Sequence, residues 1–199
     1  SLGKQSLVRA FIAPEGDLRA QRIQAVPMPP GVYLSTRARF PREDAERFSN
    51  LERIGRHEGI LPTLRLLEPR LKRLAVLVTG GAPMVHGDIG IGELIPLPLM
   101  GEGSVRLLSL LLAIANVPGG IVLIDEIENG LHHSAMTGVF NALAQAAREV
   151  DVQVFATTHS WECVRAAHQA FSESKTYDFR LHRLERVQDG IRDVAYDQK

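Results

Sequence analysis

The stretch GIVLIDEIENGLHH, from Gly120 to His133, decides how the rest of the sequence is interpreted. Four apolar residues, Ile121 to Ile124, run directly into two neighbouring carboxylates, Asp125 and Glu126. A short apolar run bounded by glycine and polar residues is typical of a strand buried on both faces of a parallel sheet. In such sheets functional groups gather just beyond the carboxyl ends of the strands, which is where these two acids stand.

The sequence around this strand alternates between helical and strand patterns. A Gly-rich turn after Met100 opens an almost wholly apolar helix, VRLLSLLLAIA, and a second helix is predicted from about Ser134 to Glu149. Another apolar strand, VQVFATT, and a helix, WECVRAAHQAF, follow in turn. Strands alternating with helices predict an α/β fold, with a mostly parallel sheet flanked by helices.

The sequence before this region predicts several additions to the sheet. Two short strands around a turn at residues 14–17 indicate an N-terminal hairpin. Apolar residues at helical spacing predict two helices, and Glu43 and Asp44 stand in the opening turn of the first. The apolar positions are Ala45, Phe48, Leu51 and Ile54 in the first helix and Leu61, Leu64 and Leu67 in the second. Glycines between short apolar runs predict a β-meander over residues 73–99, and a last hairpin is expected around residues 188–190.

The composition bounds the class of protein. With 45% hydrophobic and 23% charged residues in 199, the chain is an ordinary globular one, and its formal net charge of zero argues against strong non-specific nucleic-acid binding. No apolar run reaches membrane-spanning length, and the sequence shows no secretory signal, so we expect a cytoplasmic protein with no membrane partner. The single cysteine, Cys163, falls in an apolar helical pattern and is expected to be buried.

Three features together indicate phosphate chemistry. Asp125 suits Mg²⁺, a hard cation that often meets the protein through one carboxylate and water, and Glu126 is placed to deprotonate an attacking water. His159, in FATTHS, stands just past a second strand, where it would contact a terminal phosphate oxygen. Residues 101–104 begin a helix whose unpaired backbone N–H groups would seat an anion. Taken singly, each has a plainer interpretation: solvated acids, a solvated histidine and a glycine-rich turn.

In this order the motifs resemble the C-terminal half of an ABC-type ATPase head, from the SMC-like and OLD-like branch of AAA-family ATP-binding proteins. The resemblance covers roughly residues 95 to 172. It implies that Asp125 is the Walker B ligand of magnesium, Glu126 the catalytic base and His159 the switch histidine. It further implies a D-loop at residues 128–133 and a nucleotide-contacting signature loop, formed by Gly101, Glu102, Gly103 and Ser104. Such heads pair so that ATP lies between the phosphate loop of one subunit and the signature loop of the other.

The sequence departs from that pattern in two places. A phosphate-binding P-loop (Walker A) ends in Gly-Lys-Ser/Thr, but of the four lysines only Lys4 follows a glycine, and Gln5 comes next. The chain is therefore expected to be a C-terminal portion of a longer ATPase. The alternative is a natural protein that kept the Walker B half and lost nucleotide binding. Gly101 replaces the usual signature serine, which puts that hydroxyl contact in doubt.

These inferences divide the chain in two. Residues 1–94 are the N-terminal remainder of the head with a helical and β-meander insertion, and residues 95–199 carry the signature, Walker B and switch-histidine motifs. The expected function is ATP binding and hydrolysis with ATP and Mg²⁺, in a longer protein that works as a nucleotide-sandwich dimer in a DNA-related or defence process. Without a Walker A motif, the isolated chain is expected to be inactive.

The expected partner is a second ATPase head, most simply in a homodimer, with nucleic acid or an effector protein as further candidates. The alternative function is a nucleotide-free structural or interaction module.

Overall fold

The computed structural model describes residues 8–12, 18–22, 29–36, 41–188 and 190–197. Their strands are β1 (Val8–Ile12), β2 (Leu18–Arg22), β3 (Gly31–Leu34), β4 (Arg73–Thr79), β5 (Ala82–Asp88), β6 (Ile95–Pro96), β7 (Ile121–Ile124), β8 (Gln153–Ala156), β9 (Leu181–Val187) and β10 (Gly190–Tyr196). The helices are α1 (Pro41–Arg53), α2 (Leu61–Leu64), α3 (Glu102–Ala115), α4 (Met136–Glu149) and α5 (Trp161–Ser172). Short 3₁₀ turns at His57–Ile60, Leu97–Met100 and His133–Ala135 precede α2, α3 and α4.

A three-stranded parallel sheet carries the predicted site, in the order β3–β7–β8. In its register, Tyr33 lies opposite Leu123, and Leu123 lies opposite Phe155. The predicted parallel α/β sheet is therefore confirmed. Because β3 precedes residue 95 and the other two strands follow it, the two predicted parts of the chain share one sheet; their division remains a prediction.

The helix α3 forms the centre of the hydrophobic core. Its side chains are apolar on nearly every face, and Leu107, Leu110, Leu112 and Ile114 are all 0% exposed. A helix that is apolar all round is one that is buried on all sides. Sheet residues such as Val122 belong to the same core cluster, so α3 lies against the strands that end at the candidate site.

The remaining strands form the predicted antiparallel units. Strands β4, β5 and β6 form a three-stranded meander, β1 pairs with β2, and β9 pairs with β10. The predicted first turn, at residues 14–17, and Asp189 of the last turn lie outside the described residues.

Two helical predictions need correction. Ile54 is 63% exposed and lies beyond α1, because Gly55 turns the chain at a positive φ of 69°. The second helix is a single turn, α2, and Leu67 packs against the core from the turn that follows it. Beyond Arg65 the backbone changes to hydrogen bonds between residues three apart, because the N–H of Leu66 donates to the Thr63 carbonyl and the N–H of Leu67 to the Leu64 carbonyl.

A partly buried carboxylate, that of Asp44, joins α1 to α3. Asp44 accepts hydrogen bonds from the Ser109 hydroxyl and, at 3.3 Å, from Arg47 Nη1. Burial raises the pKa of the Asp44 carboxyl above its ordinary value, although the hydrogen bonds from Ser109 and the charge of Arg47 oppose that shift. Burial has the largest effect on this pKa, because desolvation penalises the charged form of the carboxyl group.

We expect Asp44 to make stability depend on pH. Since its folded-state pKa lies above the unfolded value, it contributes most below pH 3.8 and that contribution is lost as the pH rises through the folded-state pKa. Urea unfolding of Asp44→Asn and the unchanged protein across this window should show the variant gaining relative stability as the pH rises. Glu43→Gln, in the same helical turn, is the matched control. Parallel pH curves for Asp44→Asn and the unchanged protein would contradict the assignment.

Candidate functional site

The candidate site lies where the three parallel strands end. The backbone N–H of Asp125 donates to the Leu34 carbonyl at 2.9 Å, and the N–H of Thr157 donates to the Ile124 carbonyl at 2.9 Å. These two bonds continue the strand pairing one step past β7 and β8. They bring side chains from three separate parts of the chain to one edge of the sheet.

Two threonine hydroxyls fix the carboxylate of Asp125. Thr157 Oγ1 donates to Oδ1 and Thr36 Oγ1 donates to Oδ2, both at 2.8 Å. The hydrogen bond from Thr157, followed by that from Thr36, lowers the pKa of the Asp125 carboxyl below its ordinary value, and the charges of His159 and Arg106 act in the same direction. Asp125 is therefore an oriented, ionised carboxylate at neutral pH.

Glu126 has an unusual backbone conformation. Its φ is +45°, in the left-handed region that non-glycine residues rarely adopt, and its N–H donates to Thr157 Oγ1 at 3.0 Å. Among the described residues, no group is hydrogen-bonded to its carboxylate. The side chain is thus held at its backbone while its carboxylate remains available to a water molecule.

The turn at Asp125 and Glu126 is supported from beneath by Arg106. This α3 side chain is only 3% exposed, and its Nη2 donates to the carbonyls of Asp125 at 2.8 Å and Glu126 at 3.0 Å. Carbonyls just past a strand end lack a ladder partner and need another donor when they are buried. Arg106 supplies that donor, so it positions both predicted site carboxylates.

Glu128 connects this turn to the segment that carries the predicted switch histidine. Its Oε1 accepts the backbone N–H of His159 at 3.1 Å, while its Oε2 is buried and has no hydrogen-bond partner among the described residues. The exposed His159 imidazole lies close enough to Asp125 to affect the pKa of that carboxyl. Three predicted site residues, Asp125, Glu126 and His159, are therefore brought together.

The residues predicted as a signature loop begin α3. Gly101 caps the helix at φ 100°, and Glu102 is exposed. Gly103 packs so closely on the turn after β7 that an added Cβ would lie 3.0 Å from the Gly130 carbonyl. Ser104 is 4% exposed and donates its hydroxyl to the Met100 carbonyl at 3.3 Å. The backbone at residues 101–103, rather than the Ser104 hydroxyl, is what this end of α3 presents to solvent.

Some residues of the site were not found by the sequence analysis. Thr36 and Thr157 orient Asp125, Arg106 supports the turn, and Glu128 holds the His159 backbone. The sequence did contain a signal for Thr157. A threonine that directly follows a strand, as in FATTHS, places its hydroxyl beside the end of the neighbouring strand. The signal for Arg106 was of a different kind, since it is the only charged residue that follows Glu102 in the otherwise apolar sequence of α3.

The donor set fits a magnesium ion held by water and a single protein carboxylate. The ionised Asp125 offers oxygen, the ligand that Mg²⁺ prefers, and hydroxyl oxygens stand beside it. In the part of the chain that the structure describes, no cluster of three or more His, Cys, Asp or Glu residues forms a metal-binding cage. A further ligand for such an ion would be a phosphate oxygen, which is how Mg²⁺ is commonly held in nucleotide sites.

Two other features have structural roles. Ser160 caps α5 by accepting the Cys163 N–H at 3.1 Å, and its hydroxyl donates to Glu162. The predicted burial of Cys163 is confirmed by its 1% exposure. Within the described residues, no helix has the length and apolar character needed to cross a membrane.

Comparison with protein families gives one match over most of the chain. Residues 5–164 match the family described as "AAA domain, putative AbiEii toxin, Type IV TA system". That range contains every residue of the candidate site named above.

A protein of Helicobacter pylori described as an ATP/GTP phosphatase is 33% identical over 86 residues. The match covers 42% of this chain and 23% of that protein, so the chain spans less than a quarter of the length of this relative. Among solved structures, the Smc head bound to the C-winged helix domain of ScpA superposes with a TM-score of 0.60 at 12% identity. The superposition covers 98% of this chain and 68% of the Smc head, and it shows that the two share a fold.

We expect Arg106→Met to destabilise the fold by roughly 2–4 kcal/mol, because the carbonyls of Asp125 and Glu126 lose the donor that the buried Arg106 side chain provides. Arg106→Lys should recover part of this loss, since an ammonium group reaches fewer acceptors than the guanidinium fork. Urea unfolding measures both. Arg70→Met, which removes an exposed arginine paired with Glu68, is the control and should change little. Equal effects at positions 106 and 70 would contradict the supporting role of Arg106.

We expect Glu128→Ala to release the His159 amide. Losing this hydrogen bond should speed the hydrogen exchange of that amide by roughly fivefold to tenfold, measured by NMR. Glu128→Gln keeps a side-chain oxygen acceptor and should retain most of the protection, and the amides of α4 serve as the internal reference. Unchanged exchange at His159 in Glu128→Ala would show that the contact does not hold this segment.

Proposed function

The chain belongs to this AAA-domain family, and we propose on that basis that it supplies the magnesium-binding and water-activating half of an ATPase site. The observation that carries the proposal is the Asp125 carboxylate, which is held ionised by the Thr36 and Thr157 hydroxyls next to the free carboxylate of Glu126. One fixed carboxylate and one available carboxylate at a parallel strand end suit metal binding and proton abstraction, respectively.

Each residue would have a separate role in hydrolysis. Asp125 would hold Mg²⁺, which neutralises phosphate charge when it is bound. Glu126 would accept the proton of the attacking water at its carboxylate, and the left-handed turn would aim that carboxylate away from the Arg106 side. His159 would steady the water and the terminal phosphate oxygen, with its backbone held by Glu128.

The N-terminus of α3 would serve a second head. Backbone N–H groups at a helix N-terminus bind anions, and residues 101–103 present such groups beside the turn after β7. We propose that Gly101, Glu102 and Gly103 contact the γ-phosphate of ATP bound to a partner head, in a homodimer, while the buried Ser104 shapes the helix start. This arrangement would close when ATP binds and open after hydrolysis.

We propose that the protein acts in defence, and a DNA-related process is the alternative. The description of the matched family, which names a toxin of a type IV toxin–antitoxin system, supports the first. The formal net charge of zero gives no support for strong non-specific nucleic-acid binding by these 199 residues, so an effector protein is the preferred further partner.

A second candidate function rests on one sequence fact. None of the four lysines stands in a Gly-Lys-Ser/Thr run, so these residues alone hold no phosphate cradle of the usual kind. A nucleotide-free interaction module built on the same sheet would account for this absence. The two functions differ in whether Glu126 matters to any nucleotide reaction.

We expect Glu126→Gln in the complete gene product to lower ATP turnover by about 10²–10⁴-fold while ATP binding is kept, because the amide cannot accept the proton of water. Turnover is measured by phosphate release and binding by calorimetry. Glu52→Gln, at an exposed position of α1, is the matched control and should leave turnover unchanged. Turnover that is insensitive to Glu126→Gln would favour the interaction module.

We expect calorimetry of the 199-residue chain with Mg-ATP to show no micromolar binding, because Asp125 and Glu126 bring negative charge and the sequence has no P-loop lysine to offset the phosphates. The complete gene product serves as the comparison. Tight binding by the 199 residues alone would reveal a phosphate cradle of a different construction and would overturn the half-site proposal.

A further inference from the structure

A polar cleft of about 300 Å³ lies beside the start of β4. Its walls come from the residues that open this strand, from the end of β5 and from the loop that joins β5 to β6. The charged residues and glycines that line it are Lys72, Arg73, Asp88, Gly90, Gly92 and Glu93. Two cations and two carboxylates therefore line one cleft, and none of them belongs to the candidate site at the strand ends.

The glycines of the loop allow the Lys72 side chain to approach it closely. Gly90 and Gly92 have positive φ values of 84° and 96°, which a glycine adopts without strain. An added Cβ at Gly90 would lie 2.9 Å from Lys72 Nζ. The backbone of Lys72 is fixed as well, because its N–H donates to the Asp88 carbonyl at 2.8 Å. The Lys72 ammonium therefore lies next to the backbone of the loop.

One cation and one carboxylate of the cleft already compensate each other. Asp88 Oδ1 accepts the N–H of Gly90 at 2.8 Å, and Asp88 Oδ2 lies 3.8 Å from Arg73 Nε. Both oxygens of the Asp88 carboxylate are thus directed at groups of the protein itself. The charges of Asp88 and Arg73 do not require a ligand.

The other cation and carboxylate are not compensated. Lys72 and Glu93 line the same cleft, yet among the described residues neither side chain makes a hydrogen bond or an ion pair, with the other or with any further group. The backbone N–H of Gly92 also has no partner in the part of the chain that the structure describes. The cleft therefore holds an ammonium and an N–H that can donate, and a carboxylate that can accept.

These groups are complementary to a ligand that carries both signs of charge. An anion alone would be attracted by Lys72 and repelled by Glu93, and a cation alone would have the opposite problem. A zwitterion satisfies both residues and leaves the balance of charge in the cleft unchanged. The half-buried Leu94 also lines the cleft and suits an apolar substituent on such a ligand. A cleft of this volume is of the size that binds small molecules.

We propose that this cleft binds a free α-amino acid with an apolar side chain. The Lys72 ammonium and the Gly92 N–H donate to the carboxylate of the amino acid, and its ammonium group donates to Glu93. Its side chain lies against Leu94. This binding site goes beyond the proposed ATPase function and does not depend on it, because the cleft shares no residue with the candidate site.

The test is calorimetry of the complete gene product with L-leucine. Isocaproate, which is leucine without its amino group, and isoamylamine, which is leucine without its carboxylate, are the matched ligands. We expect L-leucine to bind roughly tenfold or more tightly than either, because each of them leaves one charged group of the cleft without a partner. Equal affinity for isocaproate or for isoamylamine, or no binding of L-leucine at about 10 mM, would overturn the proposal.

Substitutions locate the binding in the cleft. Lys72→Met and Glu93→Gln should each weaken L-leucine binding by roughly tenfold or more. Arg70→Met, at an exposed arginine paired with Glu68, and Glu52→Gln, at an exposed position of α1, are the matched controls and should bind as the unchanged protein does. Urea unfolding checks that all four variants fold. Losses as large in the controls as in the cleft variants would show that the amino acid binds elsewhere.

Hydrogen exchange provides a readout that does not depend on substitutions. Saturating L-leucine should slow the exchange of the amides at residues 89–94 by roughly threefold or more, measured by mass spectrometry, because the ligand orders the loop. The amides of α4 serve as the internal reference. Unchanged exchange at residues 89–94 while L-leucine is bound would place the amino acid outside this cleft and overturn the proposal.

Discussion

The guanidinium of Arg106 is the interaction on which the candidate site depends. Where β7 ends, the carbonyls of Asp125 and Glu126 leave the strand ladder and accept hydrogen bonds from Arg106 instead. A single side chain satisfies both, and it rises from the helix that fills the core. These hydrogen bonds offset the free-energy cost of burying the Arg106 guanidinium. They also fix the position of the turn at Asp125 and Glu126 relative to α3.

With the turn fixed in this way, the two neighbouring carboxylates have different surroundings. One carboxylate, Asp125, accepts one hydroxyl hydrogen bond at each oxygen and stays ionised, while its neighbour Glu126 has only its backbone constrained. The same hydroxyl of Thr157 serves both residues, donating to one and accepting from the other. Two acids that are adjacent in sequence thereby have different surroundings, chiefly because the threonine hydroxyls bond to the carboxylate of Asp125.

The central part of the fold was predictable because its signals are local. The strand Ile121–Ile124 was located to the residue, since a run of branched apolar side chains ends abruptly at a glycine on one side and an acid on the other. The helix α3 was predictable from its composition, because a helix that is apolar on all faces is a buried one. Asp125, Glu126 and His159 were found because strand ends gather polar side chains. Their proposed roles still come from family resemblance, which geometry alone does not replace.

The partners of those residues were not predictable, because they come from far along the chain. Thr36 is 89 residues from Asp125, and Thr157 is 32 residues away, and only the sheet register brings them together. The prediction for Ile54 was wrong for a local reason, since the apolar periodicity extends to Ile54 whereas α1 ends at Arg53, just before Gly55 turns the chain. Gly103 lies so close to the turn after β7 that an added Cβ would be 3.0 Å from the Gly130 carbonyl oxygen. The spacing between the start of α3 and that turn is therefore set by the absence of a side chain at position 103, and a larger residue there would push the two segments apart.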